Sequence, residues 1–215
     1  MAVITIRGKL GSGAPEIGKL VANSLQVDYI DREIIAEVAA RLNLQEQEVL
    51  AKEMPPTRLH ERIAEALARG YAIGDGIQGA YLPVWQIPFD DSRYVEALSS
   101  FIRELARTGC VIYGRGSQFI LKNEPGAIHI SVVAPYYIRL RRVMDTMHLP
   151  NEECARKEIN RSDSSGREFA RRFFGTDPED PEHYHLVINT GRLSYESAAS
   201  IILEAVRQQE AWAIY

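Results

Sequence analysis

Two periods alternate along this chain. Short β-branched runs are followed by stretches in which apolar residues recur every three or four positions. Val3-Ile4-Thr5-Ile6 is the first run, and residues 15–24 after it carry a helical pattern. Residues 27–32 read as a second, short strand ending in Asp31 and Arg32. The next helix, over 33–42, sets Ile34, Ile35, Val38, Ala39 and Leu42 on one face. Asn43 breaks it and the acidic run 45–48 starts another, which Met54-Pro55-Pro56 ends. Thr57 can cap a further helix that runs to about Arg69, where Gly70 stops it.

Residues 70–91 are different in kind, with four glycines among Tyr71, Tyr81, Trp85 and Phe89 and two prolines. A loop this long in a compact domain either covers a substrate or packs on itself through its own aromatics. Asp91-Ser92 then opens an amphipathic helix to about Thr108. An uninterrupted apolar strand follows over 109–117, ending in the glycine-flanked Arg115. Further strands are predicted over 128–133 and 185–190. Helices are predicted from Pro135, over 152–161, and from Ser194 to about Gln209. Short apolar strands alternating with helices imply βαβ units, hence an α/β fold around a parallel sheet.

Length and composition agree with one α/β domain. The chain has 215 residues, 46% hydrophobic and 25% charged, with a formal net charge of −4. That charge exerts no general pull toward nucleic acid. The first apolar run is too short for a signal peptide and no long apolar segment follows, so no membrane partner is expected. Cys110 and Cys154 suggest neither a metal site nor a disulfide framework, and a cytoplasmic location is the natural expectation. The apolar tail Trp212-Ala213-Ile214-Tyr215 should dock on the body or on a second subunit, which leaves a homodimer possible.

Three stretches carry candidate chemistry. Strand, glycine loop, helix is the order that cradles phosphate, and Gly8, Gly11, Ser12 and Gly13 supply the loop. The spacing of Gly8 to Gly13 matches the front of G-x-x-x-x-G-K-[ST], but Ala14 and Pro15 stand where the lysine and the hydroxyl belong. The alternative is a plain tight connection between strand and helix. Arg115 emerges at the carboxyl end of a buried strand, where parallel sheets bind ligands, and suits an anion site or a structural ion pair. Arg161, Arg167, Arg171 and Arg172 cluster around Asp163, either as solvated helical charges or as a clamp on a polyphosphate.

Taken in order, the motifs resemble the cytidylate-kinase-like family, a branch of the nucleoside monophosphate kinases. The pieces are Gly11-Ser12-Gly13 with Glu16-Ile17-Gly18-Lys19, the run Tyr29 through Ile35, and Cys110 through Gly116. They continue with Ala134-Pro135 before Arg139 and Arg142, then Asp180-Pro181-Glu182 and Ile188-Asn189-Thr190 before Arg192-Leu193. The resemblance implies a three-layer α/β/α P-loop NTPase fold in one domain, with a mainly parallel sheet of about five strands. It also implies a helical insertion over about 43–91 and an arginine-rich lid over about 160–178. The implied activity is transfer of phosphate from ATP to a nucleoside monophosphate, CMP or dCMP. Gly8, Gly11, Ser12 and Gly13 would surround the ATP phosphates, and Asp31, Arg32 and Arg115 would face the monophosphate. Arg161, Asp163, Arg167 and Arg171 would belong to the closing lid.

The departures are as informative. Besides Ala14 and Pro15, Gly116 stands where cytidylate kinases proper have an aspartate after the arginine. The family branch commonly lacks the loop lysine, but it enters the loop with Ser-Arg-Glu where this chain has Arg7-Gly8-Lys9, and it has an arginine at the place of Pro15. Lys9 can supply the missing charge. Magnesium is expected with ATP, without a clear protein ligand beyond the candidates Glu16, Asp31 and Asp163. The losses keep two other readings open: a nucleotide-binding module without turnover, and a kinase for another small acceptor.

Overall fold

The structure is a computed structural model that describes residues 2–31, 33–46, 49–50 and 91–212. The helix expected over 57–69, most of the aromatic loop, Arg32 and the tail beyond 212 lie outside the described residues. Five strands form one sheet in the order β2-β3-β1-β4-β5. They are β1 (Val3–Gly8), β2 (Asp28–Ile30), β3 (Cys110–Tyr113), β4 (Ala127–Val133) and β5 (Leu186–Asn189). Every pairing between them is parallel, with Ile4 opposite both Val111 and Ile128. β1 therefore sits in the middle, and the glycine loop leaves its carboxyl end. The three-layer α/β/α architecture with a parallel sheet of five strands expected from the sequence is the one observed.

Helices cover both faces. On one face, α1 (Ala14–Leu25) and α7 (Tyr195–Trp212) bury Ile17, Val21, Ala198 and Ile202 against Ile4, Ile6 and Val132. On the other, α2 (Glu33–Leu42) and α3 (Asp91–Ala106) bury Ile34, Val38, Tyr94, Leu98 and Ile102 against Val3 and Ile112. A continuous apolar strand such as Cys110–Tyr113 is what a sheet covered on both faces requires. The four-residue helix α4 (Ser117–Ile120) after Arg115 was too short to leave a periodic signal.

The largest difference from the sequence reading lies in the arginine-rich segment. A helix over 152–161 was expected, with the arginine-rich stretch after it. Instead α6 (Glu152–Phe174) runs unbroken for 23 residues after α5 (Tyr136–Met147). Gly166 sits mid-helix, where glycine costs about 1 kcal/mol relative to alanine. Packing at both ends overrides that cost. Ala155 and Ile159 meet Leu140 and Val143 of α5. At the other end Phe173 lies 4.8 Å from the Tyr94 ring, and Arg172 pairs with Asp91 through two contacts of 2.8 Å.

His129 lies inside β4 opposite Thr5, 3% exposed, with Thr5 Oγ1 2.8 Å from its Nδ1. Burial, with the His185 ring 5.1 Å away, pushes the imidazole down to about 4 from 6.5. Between those pH values only the unfolded chain takes up the proton, so stability falls as pH drops through this window. The loss is expected to be on the order of 3 kcal/mol. Urea midpoints of wild type and His129→Asn from pH 7.5 to 4.5 check this: the variant should lose less stability. Equal slopes would assign the acid sensitivity to other groups.

Candidate functional site

The site begins at the carboxyl end of β1. The chain turns there through a hydrogen bond from the Ser12 amide to the Lys9 carbonyl, 2.9 Å. Gly13 then caps α1 with φ 87°, and among the described residues no side-chain cap bonds the first-turn amides. Any β-carbon at Gly13 would run into the Tyr195 ring, so both the left-handed backbone and the close approach demand glycine. Ser12 is fully buried, and among the described residues its hydroxyl has no hydrogen-bond partner. An uncapped helix N-terminus beside an unsatisfied buried hydroxyl is an arrangement suited to an anion. Ala14, at the place of the P-loop lysine, is buried in the core with Ile17.

Two arginines of α5 hold this loop from behind through its carbonyls. Arg139 Nη1 donates to Leu10 O at 3.1 Å, and Arg142 Nη1 donates to Gly11 O at 3.3 Å and Ser12 O at 3.4 Å. Arg142 also donates to Thr190 Oγ1 and Thr190 O at 2.8 and 2.9 Å, while the Thr190 hydroxyl donates to Ser12 O at 2.7 Å. The loop carbonyls are thus turned toward α5 and β5, leaving the amides for a ligand. The sequence reading had both arginines and Thr190 among its motifs without this role.

A cavity of about 500 Å³ opens beside the loop, lined among others by Lys9, Tyr136, Asn160, Asp163, Ser164 and Arg167. Its volume lies in the range of small-molecule sites. Asn160, Asp163, Ser164 and Arg167 follow i, i+3, i+4, i+7 spacing, which puts them on one face of α6. That spacing was present in the sequence and would have separated Arg167 from its neighbours. Arg161 instead pairs with Glu158 on the surface, 2.8 Å, and Arg171 is exposed; neither lines the cavity. Asp163 gives both oxygens to Arg139, at 3.0 and 2.7 Å. Lys9 Nζ lies 2.7 Å from Glu179 Oε2, and Arg167 Nη1 lies 3.5 Å from Glu179 Oε1.

Of the candidate acceptor residues, Asp31 follows β2 and Arg115 follows β3, at neighbouring strand ends, while Arg32 lies outside the described residues. Gly114, Arg115 and Gly116 are consecutively left-handed, with φ of 72°, 54° and 69°. Gly116 also touches the Phe174 ring, which a β-carbon would overlap. Burial pushes the Tyr113 phenol up to about 12, and Asp31 and Glu16 add to that while Arg115 and Arg7 oppose it. Those four charges, from β1, α1 and the ends of β2 and β3, therefore converge on one phenol. The Asp31 amide donates to Glu33 Oε2 at 2.9 Å, and this backbone bond holds the Glu33 carboxyl below its ordinary range.

The model of the cytidylate kinase-like family matches residues 3–192. The chain belongs to that family. As a member of the cytidylate kinase-like family, it is 24% identical to a cytidylate kinase from Aeropyrum pernix, over 95% of this chain and 98% of that one. A stretch of 103 residues is 32% identical to part of a uronate isomerase from Corynebacterium glutamicum; this covers 48% of this chain and spans about 20% of the relative's length. Among solved structures, an uncharacterized protein from Eubacterium ventriosum is similar over 96% of this chain and 99% of that one, with 17% identity and a TM-score of 0.67. That likeness shows the fold.

Of the groups considered for magnesium, the P-loop hydroxyl and Asp163 are not available to an ion. Pro15 offers no hydroxyl, both Asp163 oxygens are engaged, and no group of three His, Cys, Asp or Glu among the described residues could hold a metal. No described helix is long and apolar enough to cross a membrane.

Proposed function

We propose that this chain transfers the γ-phosphoryl group of ATP to a nucleoside monophosphate, with CMP or dCMP as the acceptor class. The observation that carries the reading is a cavity lined by Lys9 of the glycine loop and Arg167 of α6, with the loop running from the carboxyl end of the central parallel strand to the N-terminus of α1. Family membership supports a kinase, and the full-length alignment with a cytidylate kinase supports the pyrimidine acceptor. In this reading the loop amides and Lys9 hold the ATP phosphates, with any magnesium arriving as part of the nucleotide. Arg115 and Asp31 orient the acceptor. An acceptor phosphate oxygen bonds to the γ-phosphorus while the bond to the bridging oxygen breaks, its electron pair leaving on ADP. Such a transfer needs positioning and charge neutralisation more than covalent help, which suits a site of amides and cations. A coupled assay with ATP, magnesium and a panel of monophosphates tests it. Absence of turnover on every acceptor, from folded protein, would reject the kinase reading.

The second reading, nucleotide binding without turnover, rests on Ala14 and Pro15. Calorimetry with ATP and CMP separates the two: magnesium-insensitive binding without turnover favours the second. For Arg115, alanine substitution is expected to weaken monophosphate binding by about 1.5–3 kcal/mol, the range for a hydrogen bond to a charged group. ATP affinity should change little. Arg115→Lys should also bind poorly, because an ammonium lacks the planar fork. Unfolding without loss of affinity would make Arg115 structural.

A further inference from the structure

Glu179 lies outside the motifs that identify the family site, yet two of the three cations lining the cavity, Lys9 and Arg167, converge on it. Its Oε2 accepts from Lys9 Nζ at 2.7 Å, and its Oε1 lies 3.5 Å from Arg167 Nη1. Among the described residues neither cation has another carboxylate partner. The turn that presents Glu179 is built in place. Its amide donates to Asp177 Oδ1 at 2.9 Å, and the buried Pro178 carbonyl accepts from both Arg7 Nη1 and Tyr184 Oη at 2.6 Å. Arg7 belongs to β1, so the turn is tied to the strand that feeds the glycine loop. Lys9, with Arg167 and Arg7 beyond it, holds the Glu179 carboxyl below its ordinary range, so the group is an anion at neutral pH.

Two cations meeting the two oxygens of one anion reproduce what a phosphate would ask of them. We propose that Glu179 is an internal counter-ion that stands in for a phosphate on Lys9 and Arg167, and that it sets the preference of the cavity for polyphosphates over single phosphates. This rests on the reading that phosphates enter this cavity. A single phosphate gains the two cations only by breaking their contacts with Glu179, a near-even exchange. A longer polyphosphate can extend from Lys9 along the glycine loop toward the N-terminus of α1, a contact Glu179 does not replace, so its exchange is favourable. The displaced carboxylate, already 35% exposed, returns to water at low cost.

Calorimetry with inorganic phosphate and with tripolyphosphate on wild type, Glu179→Gln and Lys9→Gln tests this, with thermal melts to verify folding. Glu179→Gln is expected to bind phosphate about tenfold tighter and tripolyphosphate only a few-fold tighter, narrowing the ratio between them. Lys9→Gln should weaken both. Unchanged or weaker phosphate binding by Glu179→Gln, with tripolyphosphate still bound by wild type and lost in Lys9→Gln, overturns the counter-ion role and leaves the cavity reading intact. Tripolyphosphate bound by neither wild type nor Glu179→Gln overturns the cavity reading and the inference together.

Discussion

Arg139→Ala is expected to lower the unfolding free energy by about 3–5 kcal/mol, the cost of leaving one partner of a buried ion pair uncompensated. Arg139 is 4% exposed and grips Asp163 with two hydrogen bonds, while the Asp163 side chain is itself only 12% exposed. Truncation leaves that carboxylate buried between α5 and α6 without a counter-charge. It also removes the donor to Leu10 O, so tripolyphosphate binding should weaken in whatever protein remains folded. Replacing both partners, as in Arg139→Met with Asp163→Leu, should recover most of the stability, because no charge is then buried. Urea denaturation of the three proteins decides it. A loss below about 1 kcal/mol for Arg139→Ala would mean the pair behaves as an exposed one.

Gly116→Asp installs the residue that cytidylate kinases proper carry after the arginine, and it is expected to destabilise this chain by about 2–4 kcal/mol. Part of that is the left-handed backbone, φ 69°, which costs a non-glycine residue about 1 kcal/mol or more. The rest is overpacking, about 1–3 kcal/mol, because the new β-carbon overlaps the Phe174 ring. Phe174 in turn packs on Phe119, 5.2 Å between ring centroids, so it cannot retreat freely. Phe174→Ala should therefore rescue part of the Gly116→Asp loss in a double-mutant cycle. If the two effects simply add, Phe174 is not what excludes the aspartate. The end of α6 thus docks on Gly116 through the Phe174 ring, which leaves no room there for a side chain.

Both variants probe contacts that local pattern does not reveal. Arg139 and Asp163 are 24 residues apart, Arg142 and Thr190 are 48 apart, and Lys9 and Glu179 are 170 apart. A charged side chain reads the same in sequence whether its partner is water, a ligand or a distant carboxylate. For that reason Asp163 and Lys9 looked equally catalytic. The structure ties Asp163 to buried Arg139 and Lys9 to Glu179, with both side chains on the cavity wall. The continuity of α6 was hidden for a related reason, since Gly166 argues locally for a break and only the docking of Phe169, Phe173 and Phe174 answers it.

What the sequence determined by itself was the order of strands and helices and the glycine loop after β1, because burial on a sheet or helix imposes a period that neighbouring residues must obey. Glu33–Leu42 came out at its observed limits on that ground, and the apolar run after Gly109 holds the strand Cys110–Tyr113. Tertiary structure alone decided which charges face one another. It turned the loop carbonyls toward Arg142 and Thr190, sent Arg161 to the surface and brought Glu179 between Lys9 and Arg167. Ion pairs and side-chain hydrogen bonds act over a few ångströms of space with no period along the chain, so they exist only once the sheet has set its helices in place.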